Sequence, residues 1–347
     1  MSFTRCATAS AVLVPVCLSL SKSKAKSLLL ASSGVANSQC TTARAGSVSV
    51  KVPLFKDNMY VTEERGSLYA PDYRVYFRDE SGPISPLHDI PLWADEAQRL
   101  VNMVVEVPRW SNAKMEISLG EPLNPIKQDV KKGALRFVSN VFPHHGYIWN
   151  YGALPQTWEN PHHVDPQTQA RGDNDPVDVL EIGRRVARRG DVVPVRLLGA
   201  LALIDEGETD WKLIAVDARD EDAARLRDVR DVDALMPGLL RATVEWFRLY
   251  KVPDGKPPNQ FAFDGEAKDA AFAYKVVDEV HGFWRGLVRG EAGDAAGAIS
   301  LANVSVEGSA ARVDRAEAAA LLARAPPLGA ALPPPPHVDR CHFVANL

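Results

Sequence analysis

Three aspartates fall within six residues in the run Arg171-Gly-Asp-Asn-Asp-Pro-Val-Asp: Asp173, Asp175 and Asp178. Anions this close repel one another unless a cation or a proton intervenes, so the run points to a hard divalent metal with oxygen ligands, Mg²⁺ above all. A second acidic group, Asp205-Glu-Gly-Glu-Thr-Asp-Trp-Lys, follows an apolar run and contains Asp205 and Asp210. Together the two groups read as a carboxylate cage, the kind of site that holds Mg²⁺ ions about 4 Å apart for phosphoryl transfer. Taken singly, each is also what a solvated acidic turn or a charged hairpin tip looks like. A calcium loop of the EF-hand type fails on spacing, because Asp178 stands where glycine is needed and Arg184 where a bidentate glutamate is needed.

Cations and phenols supply an anion-binding side: Lys114, Arg136, Tyr147, Tyr151, Lys212, Tyr250 and Lys251. Arginine offers phosphate a planar fork and lysine a point charge, although any one of these alone is commonly a solvated or snorkelling side chain.

Short strands must position these groups. Pro176 fixes a turn just before the apolar Val177, Val179, Leu180 and Ile182, which predicts a strand starting where the first acids end. Alternation predicts strands over 73–78, from 101, over 113–118 with Lys114 and Glu116 on one face, 135–138, 147–151, 192–204 and 211–216. The strand from 101 and that over 113–118 suggest a hairpin turning at Trp110-Ser-Asn, residues 83–91 read as loop, and so many short strands suggest a barrel. From about residue 220 helical spacing takes over, over 220–235, 238–250 and 266–288, with a turn at Pro253-Asp-Gly-Lys-Pro-Pro. The proline-rich stretch 326–336 reads as extended chain on the surface.

The chain has 347 residues, 46% hydrophobic and 24% charged, ordinary proportions for a soluble globular protein, and no apolar run approaches the roughly 20 residues of a membrane-spanning helix. Residues 1–56 contain no Asp or Glu but carry Arg5, Lys22, Lys24, Lys26, Arg44, Lys51 and Lys56, with serine throughout. That is the composition of an organellar transit peptide, with a secretory signal on the apolar patch Ala11 to Leu20 or a disordered tail as the alternatives; serine and threonine outweigh arginine, which favours the plastid stroma over the mitochondrial matrix. Without those seven charges the net charge moves from −4 to −11, which argues against a nucleic-acid surface. Three of the four cysteines lie in the same segment, leaving Cys341 without an intrachain partner. The domain reading is therefore a transit segment over 1–56 and one catalytic domain over 57–347.

The runs Val105-Glu-Val-Pro-Arg-Trp-Ser-Asn-Ala-Lys-Met-Glu-Ile, Leu135-Arg-Phe-Val, Phe142-Pro-His-His-Gly-Tyr-Ile-Trp-Asn-Tyr-Gly and Glu245-Trp-Phe-Arg-Leu-Tyr-Lys, with the two acidic stretches, resemble the family I soluble inorganic pyrophosphatases of the longer, eukaryotic type. The resemblance covers roughly residues 70–320. It implies an α+β, mainly β fold, an OB-like distorted five-stranded barrel with flanking helices. It implies Mg²⁺-dependent hydrolysis of inorganic pyrophosphate to two orthophosphates by a metal-bridged hydroxide, with Mn²⁺ or Co²⁺ able to substitute and Ca²⁺ inhibitory. By the family pattern Asp173, Asp178 and Asp210 hold the tight metal, with Asp178 bridging to a second. Asp205 and Glu116 take ions that arrive with substrate, and Glu106 joins the metal-binding set. Asp175 takes the proton of the attacking water. Lys114, Arg136, Tyr250 and Lys251 grip phosphoryl groups, with Tyr151 and Lys212 lining the site. The implied assembly is a homodimer or a monomer. Trp149 departs from the family pattern, which has a smaller or polar residue there, and Cys341 replaces an aromatic that would join Arg109, Trp110 and His145 at a dimer contact. Competing readings are another two-metal phosphohydrolase, for which no P-loop or G-x-G-x-x-G signature is present, and a non-catalytic phosphate- or Mg²⁺-binding protein of the same fold.

Overall fold

Runs of Val, Leu and Ile long enough to form strands build the centre of the computed structural model, which describes residues 59–293, 297 and 299–345. The transit segment read over 1–56 lies outside the described residues. Five strands carry the fold: β1 (Leu100–Val107), β2 (Asn150–Ala153), β3 (Asp178–Glu181), β4 (Val192–Asp205) and β5 (Glu208–Asp217). They hydrogen-bond in the order β5-β3-β2-β1-β4, and β4 pairs back onto β5, so the sheet closes into the five-stranded barrel of a mainly β, α+β protein. β3 runs parallel to β5 and the other four junctions are antiparallel. Register shifts at Leu197/Gly199 and at Tyr151/Gly152 supply the local bends that closing so small a barrel requires.

Alternation along β5 separates two jobs. After the barrel come α1 (Val229–Leu235), α2 (Leu239–Leu249) and α3 (Ala270–Val288); Trp211, Leu213 and Ala215 pack with Ala273, Val276, Val277 and Val280 of α3 in one buried cluster, whereas Ile214 and Val216 belong to another, with Tyr147, Tyr151, Trp246 and Phe247. Asp210 and Lys212 share the parity of Ile214, so the strand's period of two carries both charges to the face away from α3.

The hairpin expected at Trp110-Ser-Asn does not form. β1 already pairs with β2 on one edge and with β4 on the other, so neither edge is free for Met115–Ile117, which pairs instead with Ile126–Gln128 in a second sheet alongside Val61–Arg65, Arg74–Asp79 and Gly82–Ile84. Within the predicted loop 83–91, Gly82–Ile84 is therefore a strand start. Of residues 135–138 and 147–151, strand is confined to Ala134–Leu135 and to β2.

The helix expected over 220–235 shortens to Val229–Leu235. Aspartates upstream of it bind backbone N–H groups in turns: Asp217 accepts from Arg219 and Asp220 from Asp222, at 2.9 Å each, and Asp228 caps the helix in a reciprocal box with Asp231. Leu239–Leu249 matches its prediction, whereas α3 begins at Ala270 and not at 266, because Lys268–Asp269 pair with β4 and Asp269 caps the helix through the Phe272 N–H at 2.8 Å. Unpredicted is the alanine-rich helix Arg315–Ala323, capped by Asp314 through the N–H of Glu317 at 2.8 Å. The proline-rich tail is extended as predicted and runs beside residues 66–68, with Gly329 N–H to Gly66 O and Leu332 N–H to Leu68 O at 2.9 Å each. It ends in Cys341–His342, which pairs parallel with Asn140–Val141.

Among the described residues no helix is long and apolar enough to cross a membrane. At the β1–β2 junction, a Cβ on Gly152 would sit 2.0 Å from the carbonyl oxygen of Val104, which belongs to backbone and cannot swing aside. Gly152→Ala should destabilise the fold by the upper part of the roughly 1–3 kcal/mol usual for overpacking, lowering the urea midpoint, and should loosen the neighbouring Tyr151. Equilibrium unfolding followed by tryptophan fluorescence checks this; an unchanged midpoint would mean that the strands separate at little cost.

Candidate active site

The site gathers where β3 begins and where β4 turns into β5. Register does most of the placing. Asp178, the first residue of β3, stands opposite Ala153 of β2 and level with Lys212 of β5, and Tyr151 lies two residues before Ala153 on the same face. The Tyr151 hydroxyl donates to Asp178 Oδ2 at 2.5 Å. Lys212 Nζ donates to Asp178 Oδ2, to Asp210 Oδ1 and, at 3.2 Å, to the Tyr151 oxygen. The side chain of Lys212 is only 2% exposed, and its ammonium also lies 5.4 Å from the ring centroid of Phe247. Burial alone would lower its pKa, but Asp178 and Asp210 outweigh burial and hold it well above the usual range, so Lys212 stays charged.

The acids beside it are strained in the electrostatic sense. Carboxylate oxygens of Glu159, Asp173 and Asp210 all lie within 4.8 Å of one another. Burial, then the charge of Asp178 and Asp205, pushes Asp210 up to about 7 against the pull of Lys212. Burial and Asp210 raise Asp173 well above the carboxylate range, and burial with Asp173 does the same to Glu159. Glu159 accepts from the Trp211 N–H at 3.0 Å through Oε1, while its Oε2 is buried without a hydrogen-bond partner. Three hard oxygen donors converging in a buried corner, one of them orphaned, fit a divalent cation such as Mg²⁺. Glu159 has no spacing signal in the sequence: it stands outside both acidic runs, beside Trp158, and only the fold brings it in. Asp178 is not in this group of three, because its carboxylate is turned toward Tyr151 and Lys212.

The other predicted residues assemble around this corner. Asp175 is exposed, yet the protein crowding around it thins its water; that loss of solvation pushes its carboxyl up to about 6, against the pull of Lys114. Lys114 pairs with Glu116 two residues along the same face, and the Lys114 N–H donates to Arg136 O at 3.1 Å, tying the two cations together through backbone. Arg136 is oriented by Asp129 at 3.1 Å. Glu106, on β1, is buried and accepts from the Ile117 N–H at 2.6 Å, and burial followed by the charge of Asp178 raises its carboxyl well above the usual range. Tyr147 is buried and pushed up to about 12, so its phenol keeps its proton.

Tyr250 and Lys251 follow directly on the helix Leu239–Leu249 and reach Asp205, the last residue of β4: Lys251 Nζ lies 2.5 and 2.6 Å from its two oxygens and the Tyr250 hydroxyl 3.3 Å from Oδ2. Trp149 seats this helix. Its indole stacks on Phe247 at 5.0 Å and 8°, meets Trp246 edge-on at 5.1 Å and donates to Thr243 Oγ1 at 3.0 Å. A large aromatic is thus accommodated by packing and by a partner for its N–H. Arg109 donates to the carbonyls of Glu181 and Gly183, and Trp110 is 56% exposed.

Comparison with known proteins converges on one family. A family model described as inorganic pyrophosphatase matches residues 103–285. Similar sequences include the inorganic pyrophosphatase of Drosophila melanogaster, 58% identical over 82% of this chain and 84% of the relative, and that of Kluyveromyces lactis, 53% identical over 83% and 99%. Among solved structures, the inorganic pyrophosphatase of Schistosoma japonicum superposes with a TM-score of 0.77 at 46% identity, covering 82% of this chain and all of that one.

The raised carboxyl of Asp210 ties stability to pH. A folded-state pKa of about 7, above the ordinary carboxylate value, stabilises the fold fully at acid pH and loses that contribution as pH rises toward and through 7. In EDTA the melting temperature should fall between pH 5 and 8 more steeply than in Mg²⁺, since a bound cation removes the repulsion. Calorimetry across that range in both buffers checks it; parallel slopes would show that no cation relieves these acids.

Proposed function

This chain belongs to the inorganic pyrophosphatase family and hydrolyses inorganic pyrophosphate to two orthophosphates, and on that footing we propose how its side chains divide the work. The substrate carries about three to four negative charges at neutral pH and repels any anionic nucleophile, so the residues must offset charge before they can direct attack. Lys114, Arg136, Tyr250 and Lys251 form the wall that grips the phosphoryl groups: two ammoniums, a guanidinium held by Asp129, and a phenol raised well above its usual pKa by burial and Asp205. Tyr151 and Lys212 fix the Asp178 carboxylate, and Lys212 also orients Asp210.

Glu106, Glu116, Asp173, Asp178, Asp205 and Asp210 are the acids proposed to hold Mg²⁺, and Glu159 joins them because its buried Oε2 lacks any other partner. When bound, Mg²⁺ supplies charge neutralisation and Lewis acidity that makes water a better nucleophile near neutral pH. Mn²⁺ and Co²⁺ suit the same donors, whereas Ca²⁺ prefers more ligands at longer distance and should inhibit in competition with Mg²⁺. Asp175 takes the proton of the attacking water: it is open to solvent and, at about 6, remains mostly ionised at neutral pH while being a stronger base than an ordinary carboxylate.

The observation that supports this reading is the approach of Glu159, Asp173 and Asp210 to within 4.8 Å of one another, with Lys212 bridging Asp210 to Asp178 beside them. It is tested by phosphate release from pyrophosphate with Mg²⁺, against ATP and a sugar phosphate as competitors for the assignment. Asp175→Asn should keep substrate affinity and lose about 10²–10⁴-fold in kcat; an unchanged kcat would remove Asp175 as the base.

For residues 1–56 the proposal is an organelle presequence, with the plastid stroma ahead of the mitochondrial matrix, supported by their lack of acids and their serine content. A fluorescent protein fused after residue 56 should enter an organelle, and a chain beginning at Asp57 should still hydrolyse pyrophosphate. Diffuse fluorescence, or a truncated chain that does not fold, would end this reading.

A further inference from the structure

The β4–β5 turn places Glu206 and Gly207 between Asp205 and Glu208, and both turn residues are left-handed, at φ 53° and 97°. Two left-handed positions make the tight turn that matches strand twist, which Asn-Gly adopts most easily, so a glutamate there strains the backbone. Its side chain lies between two lysines. Oε1 is 3.4 Å from Lys251 Nζ, and Oε2 is 3.2 Å from Lys256 Nζ, five residues further along the chain. Lys251 itself lies across both oxygens of Asp205, at 2.5 and 2.6 Å.

These contacts pose a conflict inside the function set out above. Asp205 is to take a divalent cation and Lys251 a phosphoryl group, yet an ammonium seated across both carboxylate oxygens holds the face on which a cation would gain both of them and repels a second positive charge there. Lys251 therefore has to leave Asp205 as the site fills, and its side chain is only 8% exposed, so water cannot easily compensate it. Glu206 is the one other carboxylate within ion-pair distance of Lys251 among the described residues. We propose that Glu206 is a positioning residue for Lys251, a second carboxylate onto which the ammonium shifts so that Asp205 can turn its oxygens to a divalent cation while Lys251 still faces the substrate. Lys256 holds Glu206 in place from the far side. This role rests on the reading of Asp205 as a cation ligand.

Glu206→Asn separates positioning from structure, because it removes the charge while putting the residue best suited to the turn in its place. Calorimetric titration of Mn²⁺ into enzyme saturated with methylenediphosphonate, a pyrophosphate analogue that is not hydrolysed, should show affinity at the Asp205 site reduced about two- to fivefold. The melting temperature should be unchanged or higher, and in turnover the Mg²⁺ concentration for half-maximal rate should rise more than kcat falls. In a Lys251→Gln background the same substitution should have no further effect on Mn²⁺ binding, since Glu206 acts through Lys251. Equal loss in both backgrounds would reduce Glu206 to a general contribution of negative charge and overturn the proposal, as would unaltered Mn²⁺ affinity in the single variant. Asp205→Asn serves as the control: if it leaves the number of Mn²⁺ ions bound unchanged, the cation-ligand reading of Asp205 fails instead.

Discussion

Repulsion among buried carboxylates is the constraint to which this structure answers. Glu159, Asp173 and Asp210 press their oxygens together in a corner where little water reaches, and Asp178 lies beside them across a single shared ammonium. Such a cluster is unfavourable unless positive charge is brought to it, and the fold brings Lys212 from the neighbouring strand, almost wholly enclosed, to bridge two of the acids. Everything that fixes Lys212 is thereby also fixing the site: the parallel pairing of β3 with β5, the alternation that turns Lys212 away from α3, and the rings of Tyr151 and Phe247 beside its ammonium.

The barrel suits this demand because closure makes position a matter of register. Asp178, Lys212 and Tyr151 come from three strands, and each is held by backbone hydrogen bonds on both sides of its strand, so a shift of one residue would turn the charges into the apolar layer against α3. The phosphate-facing groups are placed more loosely. Lys114 and Arg136 are tied by a backbone hydrogen bond between two residues that lie just outside short strands, while Tyr250 and Lys251 follow a helix seated by Trp149. Rigid acids and more adaptable cations form a reasonable division where the cation site needs fixed geometry and the substrate must enter and leave.

Much of this was legible in the sequence, for reasons that can be named. The Asp173 run and the Asp205 run announce themselves because two acid-dense runs each stand at one end of a predicted strand, and β4 and β5 because their apolar stretches are long. Glu159 could not be found that way: a single glutamate after a tryptophan carries no spacing signal, and its place depends on the 159–175 backbone contact, in which Glu159 N–H meets Asp175 O at 2.8 Å. The hairpin expected after β1 failed because alternation describes a strand's faces and says nothing of its edges, and β1 had spent both. Helical spacing over 220–228 was overridden by aspartate side chains that bind backbone N–H groups more locally than a helix would.

The tail that runs beside residues 66–68 joins the two ends of the described chain. The barrel strands all lie between residues 100 and 217, so a chain emerging from the ribosome can close its barrel long before the last contacts exist. Only when residues 327–332 appear can they meet Gly66 and Leu68, and only when Cys341–His342 appear can they lie beside Asn140–Val141. This contact is therefore a fastening made after the barrel, and traction on the chain from its amino-terminal side meets it next to the pairing of Val61–Arg65 with Arg74–Asp79.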